Sequence, residues 1–291
     1  MTDTQDLLAA DTSMGPVTLL VGNLDAQTAY YRDAVALSVL RATADTVTLG
    51  RGTTPLIILK HAPELVHASP RDAGLFHTAI LFDTEASLAA AVYSVATKAP
   101  GTFTGSSDHI VSKAFYFNDP EGNGIELYWD RDRSQWSWTH GQIEMSTLFL
   151  DPNAFLRENL TEEATETPNF GDAVVGHVHL SVGDLESAKE FYVNRLGFEQ
   201  TIALPGQALF VSAGGYHHHM AMNIWNSAGA GRRARTLGLA QVDIVVPSAD
   251  DLGSLAERMS HHRIETRDDG QTLSFDDPWA NLIRVTAAPP E

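Results

Sequence analysis

Short stretches in which apolar and polar residues alternate recur along the chain, each followed by an acidic turn and a helical run. Val178-His179-Leu180-Ser181-Val182 reads as one such strand. Asp184-Leu185-Glu186-Ser187-Ala188 then predicts a helix start, with acidic and hydroxyl residues where backbone N–H groups lack partners. Gly197 falls where the chain should leave that helix. Further strands complete the unit, and Asp119-Pro120-Glu121-Gly122-Asn123-Gly124 predicts a tight turn before a last strand. The local order is βαβββ.

The unit repeats. Gly15-Pro16-Val17-Thr18-Leu19-Leu20-Val21-Gly22-Asn23-Leu24 matches Gly176 to Leu185, and Gly74-Leu75-Phe76-His77 through Ile80 matches Gly238 through Ile244. Phe117-Asn118-Asp119-Pro120 is answered by Phe275-Asp276-Asp277-Pro278. Four modules of roughly 50 residues follow, at about 16–61, 75–130, 176–226 and 239–287. Residues 1–15 form a tail, and 16–130 hold modules one and two as a first domain. A connector with Trp136 and Trp138 spans 131–172, and 173–288 hold modules three and four as a second domain.

Composition narrows the classes. At 291 residues and 43% hydrophobic content the chain can bury two cores, and no apolar run approaches the ~20 residues needed to span a bilayer. A net charge of −18 would repel nucleic acid and anionic membranes. With no cysteine, disulfides, thiolate catalysis and cysteine zinc sites are excluded. The first fifteen residues lack the pattern of a secretory signal, so a cytoplasmic location is the default expectation.

Four βαβββ units with these signatures resemble the vicinal oxygen chelate superfamily, which includes glyoxalase I, fosfomycin-resistance proteins and extradiol ring-cleavage dioxygenases. The resemblance covers nearly the whole chain. It implies an α+β fold in which modules pair into two open barrels, with a divalent metal held by first and last strands of paired modules. The strand-start positions are Thr18, His77, His179 and Gln241, and the clear strand-end positions are Glu126 and Arg284. Module one ends in Pro55-Leu56-Ile57-Ile58-Leu59, without a carboxylate. Only modules two and three together supply His77, His179 and Glu126. Two histidines and one carboxylate suit Fe(II), and Mn(II) accepts an overlapping donor set. Barrels of modules two with three, and one with four, are then required, whereas the best-known extradiol enzymes carry the site in modules three and four.

The residues around that set resemble extradiol enzymes more narrowly. Asp108-His109-Ile110-Val111-Ser112 precedes Phe115-Tyr116-Phe117, and Tyr116 stands ten residues before Glu126, the spacing typical of that family. Gly215-Tyr216-His217-His218-His219, followed by Asn223 and Trp225, resembles the four-module catechol 2,3-dioxygenases. In module four the counterparts of His109, Tyr116 and Glu126 are Arg267, Ser274 and Arg284, so that module reads as structural. The resemblance implies opening of a catechol-type diol by O₂ beside its two hydroxyls. It gives His109 a hydrogen bond to substrate or oxygen, Tyr116 a stabilising hydrogen bond, and His218 or His219 the acid–base role. Neighbours on a strand alternate, so the three consecutive histidines cannot all point inward. His61, His67, His261 and His262 read as surface residues, and Ser227-Ala228-Gly229-Ala230-Gly231 as a loop near the pocket mouth. Competing readings are a glyoxalase-like isomerase or thiol transferase, with His218 as a fourth ligand, and a non-catalytic binding protein. An exposed barrel edge could serve a homo-oligomer.

Overall fold

The computed structural model describes residues 7–289. Module one comprises β1 (Val17–Val21), α1 (Leu24–Ala29, continued as wider turns through Tyr30–Ala34), β2 (Ser38–Ala42), β3 (Thr46–Arg51) and β4 (Thr54–His61). Module two has β5 (Gly74–Phe82), α2 (Glu85–Lys98), β6 (Phe103–Asp108), β7 (Ser112–Asn118) and β8 (Gly124–Asp130). The connector adds α3 (Pro152–Asn159) and α4 (Glu162–Glu166). Module three has β9 (Ala173–Ser181), α5 (Leu185–Lys189, continued through Glu190–Arg195), β10 (Glu199–Leu204), β11 (Ala208–Ser212) and β12 (Met220–Asn223). Module four has β13 (Gly238–Val246), α6 (Ala249–His261), β14 (Thr266–Asp268), β15 (Thr272–Asp276) and β16 (Leu282–Ala287). The βαβββ order holds in all four.

Local chemistry sets these boundaries. Asp184 caps α5 by accepting from the Ser187 N–H, and Thr84 with Ser87 forms a reciprocal cap on α2. Gly197 leaves the module-three helix at φ 95°, as its placement predicts. In the turn before β8, Asp119 accepts from the N–H groups of Glu121 and Asn123, while Gly122 takes φ 87°. Asp277 repeats the device in module four, accepting from Trp279 and Asn281.

Strand pairing joins modules that are not sequence partners. One nine-stranded sheet follows the order β14-β15-β16-β13-β1-β4-β3-β2, with the short strand Ser13–Met14 added on β13. The other runs from the short strand Leu148–Phe149 through β6-β7-β8-β5-β9-β12-β11-β10. Modules two and three therefore share one curved sheet, and modules four and one share the other. The sheets cut across the sequence halves 16–130 and 173–288. Within each half the contact runs through helices: Tyr31 donates to Asp119, and Tyr192 to Asp277. A single buried apolar cluster extends through all four modules. Among the described residues no helix is long and apolar enough to cross a membrane.

The connector is more than a surface strap. Trp136 is buried with Val111, Ile143, Ile202 and Tyr216, so the segment packs onto modules two and three together. Its far end is tied to module one, where the buried guanidinium of Arg51 donates to the carbonyls of Phe170 and Pro168 and lies over the Phe82 ring.

Close approach fixes one glycine. A Cβ on Gly176, in β9, would lie 1.7 Å from the Tyr128 hydroxyl of β8. Gly176→Ala should therefore lower stability by about 1–3 kcal/mol in urea unfolding, the usual cost of overpacking. Gly105→Ala, with nothing within 4 Å of the added carbon, should change it little.

Candidate metal centre

The site is built on the antiparallel pair β5·β9 at the centre of the two–three sheet. His77 faces His179, Thr78 faces Val178, and Ala79 faces His177. On the outer sides, Ala79 neighbours Glu126 of β8 and His179 neighbours Ala221 of β12. Paired residues project to the same face of a sheet, and alternate residues share it. Two rows thus lie side by side on one face: Glu126-Ala79-His177, and Ala221-His179-His77. A local two-fold axis through Thr78 and Val178 exchanges them, equating His77 with His177, Ala79 with His179, and Glu126 with Ala221.

Three donor atoms converge at that axis. Glu126 Oε2 lies 3.0 Å from His77 Nε2 and 3.2 Å from His177 Nε2, and the two nitrogens are 3.3 Å apart. All three residues are buried and form the group able to hold an ion. Donors about 2.1 Å from one ion and at right angles to each other lie about 3 Å apart, which is the spacing found. The protonation states fit as well. Burial alone would raise the Glu126 carboxyl, but the adjacent imidazoles of His177 and His77 outweigh it and hold it well below its usual range. Burial lowers His177 to about 4, leaving a neutral imidazole. An ionised carboxylate and a neutral imidazole are the forms that bind a cation.

The third histidine differs from the sequence expectation. His179 shares the face but is not in the cluster; its Nε2 accepts a hydrogen bond from the Asn223 amide at 3.0 Å. Its lone pair is thereby committed. His177 takes the place expected of His179, because a shift of two residues keeps a side chain on the same face. The pairing is also irregular between Val175 and His177 and between His179 and Leu180.

Around the cluster opens a cavity of about 620 Å³. Tyr116 pairs with Glu126 across β7·β8 and donates to His109 Nε2 at 2.7 Å. His109 Nδ1 in turn donates to the Ser146 carbonyl at 2.8 Å. These two bonds fix the His109 tautomer. Burial, then the nearby Glu126 carboxylate, raise the Tyr116 phenol well above its usual value, so it remains a hydrogen-bond donor. His109 lies in a tight turn where Ile110 adopts φ 72°, a costly conformation for a β-branched residue. The turn is braced by Arg131, which pairs with Asp108 and donates to the Ile110 carbonyl.

The His217-His218-His219 run divides its roles. His218 lines the cavity, its ring 4.0 Å from that of His177. Contrary to expectation, His219 does not line it: its Nδ1 accepts from the Ala213 N–H and sits beside the Ser212 hydroxyl. His217 is buried behind His218 against Asp130. The connector, silent in the sequence, supplies Met145, Ser146 and Thr147 to the cavity wall. His177 and Asp130 were likewise missed. His177 is the residue that the local two-fold axis pairs with His77, a relation set by the strand register and not by the sequence repeat. The Ser227–Gly231 loop is pinned by bonds from Ser227 to Val182, Gly229 to Gly183 and Trp279 to Ala230.

The equivalent positions of the four–one sheet hold no such set. Arg284 donates to the Asp243 carboxylate, which also accepts from Gln241, and Thr18 faces Gln241. An internal ion pair fills the place of a metal.

Substitutions should separate the two candidate histidines. His77→Ala, Glu126→Ala and His177→Ala should each lower divalent-metal affinity by well over tenfold in a metal titration, while His179→Ala and Gln241→Ala should retain one bound ion. Loss of metal in His179→Ala with retention in His177→Ala would reverse the assignment.

Comparison with known proteins agrees with this architecture. Residues 174–285 match the model of the Glyoxalase/Bleomycin resistance protein/Dioxygenase superfamily. The chain is 36% identical over 277 residues to a catechol-2,3-dioxygenase of Bacillus subtilis (strain 168), covering 92% of this chain and 94% of that one. Among solved structures, a putative dioxygenase from Bacillus subtilis subsp. subtilis str. 168 superposes with a TM-score of 0.62 at 14% identity, over 98% of this chain and 87% of the other. Glyoxalase I from Zea mays superposes with a TM-score of 0.57 at 16% identity, over 95% and 92%. At such identities the superpositions speak for the fold. Modules, central strand pair and long-range sequence identity together place the chain in the Glyoxalase/Bleomycin resistance protein/Dioxygenase superfamily, as a catechol-2,3-dioxygenase-like protein.

Proposed function

We propose that the protein opens a catechol-type ring with O₂ beside its two hydroxyls, at a divalent metal held by His77, Glu126 and His177. The observation that carries this reading is the three-donor face with Ala221 at the fourth two-fold position. A methyl group supplies no ligand, so coordination positions stay open for a bidentate diol and O₂. A four-ligand isomerase site would find no donor at the Ala221 position and would have to recruit His218 from the cavity wall. Iron(II), or manganese(II) with its overlapping donor set, would hold both reactants on one template and pass electron density between them.

The side chains then divide the work. His218, which lines the cavity, would take a hydroxyl proton from the diol as it binds. Tyr116, kept protonated, donates a hydrogen bond into the same space or to His109. His109, with Nδ1 tied to Ser146, holds that phenol in place.

The cavity chemistry points to the substituent on the ring. Phe76, Ile202, Leu204, Phe210 and Trp225 form an apolar wall, and among the described residues no lysine or arginine lines the cavity. A ring carrying a carboxylate would find no counter-charge there, and the net charge of −18 opposes its approach. At about 620 Å³ the space exceeds the ~150 Å³ that accommodates benzene. An alkyl- or aryl-substituted catechol fits this chemistry.

The test is to load metal-free protein anaerobically with Fe(II), and separately Mn(II), then add air with catechol, a 3-alkylcatechol or a carboxyl-bearing catechol. The expected result is a yellow ring-opened product with one O₂ consumed per ring, and kcat/KM at least about tenfold higher for the neutral substituted ring. Bound metal without product from any diol would overturn the reading. Tyr116→Phe should lower kcat by about 10- to 100-fold with the metal retained. Unchanged turnover would remove Tyr116 from the chemistry.

A further inference from the structure

Behind His218 lies a hydrogen-bonded chain that the reaction outlined above does not use. Asp130 Oδ1 lies 2.9 Å from His217 Nε2, and Asp130 Oδ2 accepts from the Tyr216 hydroxyl at 2.7 Å. The Tyr128 hydroxyl is 2.7 Å from that of Tyr216. On the other side of His217, its Nδ1 is 2.8 Å from His218 Nδ1. His217 is buried, and its main-chain carbonyl is fixed by the Thr201 hydroxyl at 2.6 Å.

The direction of each bond follows from donor and acceptor chemistry. A carboxylate only accepts, so His217 Nε2 carries hydrogen and donates to Asp130. A singly protonated His217 ring with its hydrogen on Nε2 has its lone pair at Nδ1, which accepts from His218 Nδ1–H. His218 Nε2 is then the lone-pair nitrogen. Among the described residues it has no hydrogen-bond partner, and the residue lines the cavity. We infer that Asp130 and His217 are positioning residues, which hold His218 as the Nδ1–H tautomer with the Nε2 lone pair facing the substrate cavity.

The placement gives this anchor a reason. Glu126, Tyr128 and Asp130 alternate along β8 and therefore share one face. A single strand thus holds the carboxylate of the metal cluster and, four residues on, the carboxylate that orients the base. The carboxylate that anchors His217 is held by the same strand as Glu126, while His218 lies in the segment between Ser212 and Met220, two residues before the Met220–Asn223 strand begins. The opposite tautomer would place a hydrogen on Nε2, and His218 would meet an incoming hydroxyl as a donor instead of a base.

The inference rests on the ring-cleavage reading for its consequence, but its structural content can be measured without turnover. In zinc-loaded protein with ¹⁵N-labelled histidine, long-range ¹H–¹⁵N correlation should report His218 as the Nδ1–H tautomer. Asp130→Asn offers one carbonyl oxygen to two donors, and His218 should then become a mixture of tautomers. In the iron-loaded enzyme Asp130→Asn should lower kcat by about 10- to 100-fold, with KM and bound metal within about twofold. The same substitution should cost nothing further in a His218→Ala background, because residues acting through one another are not additive. Hydrogen on His218 Nε2 in the unsubstituted protein overturns the inference, as does an equal loss from Asp130→Asn with and without His218. An Nδ1–H tautomer in a protein that opens no catechol ring supports the positioning and overturns the ring-cleavage reading instead.

Discussion

The antiparallel pairing of Gly74–Phe82 with Ala173–Ser181 is the interaction on which the site depends. No short segment contains the metal cluster: Glu126 and His177 lie 51 positions apart, and His77 and His177 lie 100 apart. They meet because Ala79 pairs with His177 on one side and with Glu126 on the other. Ala79 is fully buried and presents only a methyl group between the two donors. The small residue leaves space for an ion, and the strand spacing sets the separation of its ligands.

The same pairing accounts for the asymmetry of the cluster. Two-fold repetition offers four ligand positions, and the sequence fills three of them. Ala221 occupies the fourth, and its methyl group offers no donor. In the second sheet the balance is struck differently. There the carboxylate of Asp243 finds its counter-charge in Arg284. One backbone arrangement therefore carries a cluster of potential metal donors in one sheet and an ion pair in the other, and the difference lies in a handful of side chains.

Much of this was legible from the chain. Turn residues at Asp119–Gly124, helix starts at Asp184 and the recurrence of both fixed the βαβββ unit, because these signals act within a few residues. The resemblance to extradiol enzymes brought His77, Glu126, His109 and Tyr116 to one cavity, where they are found together. His179 lines the same cavity, but His177 is the histidine that joins His77 and Glu126 in the three-residue cluster. His177 and His179 have the same residue type, the same strand and the same facing direction, so period-two reasoning cannot separate them. Irregular pairing on either side of the pair removes the register information that would have done so.

What the sequence determined by itself is the repeated unit, its strands and caps, and the face on which each side chain stands. Those follow from interactions between near neighbours. The tertiary structure decided which modules share a sheet, which histidine completes the cluster, and that the connector lines the cavity and holds His109 through Ser146. It also decided that His218 faces the cavity while His219 is turned into the Ser212–Ala213 backbone. These outcomes depend on register between strands far apart in the chain, which is set by burial of both faces at once rather than by any local residue pattern.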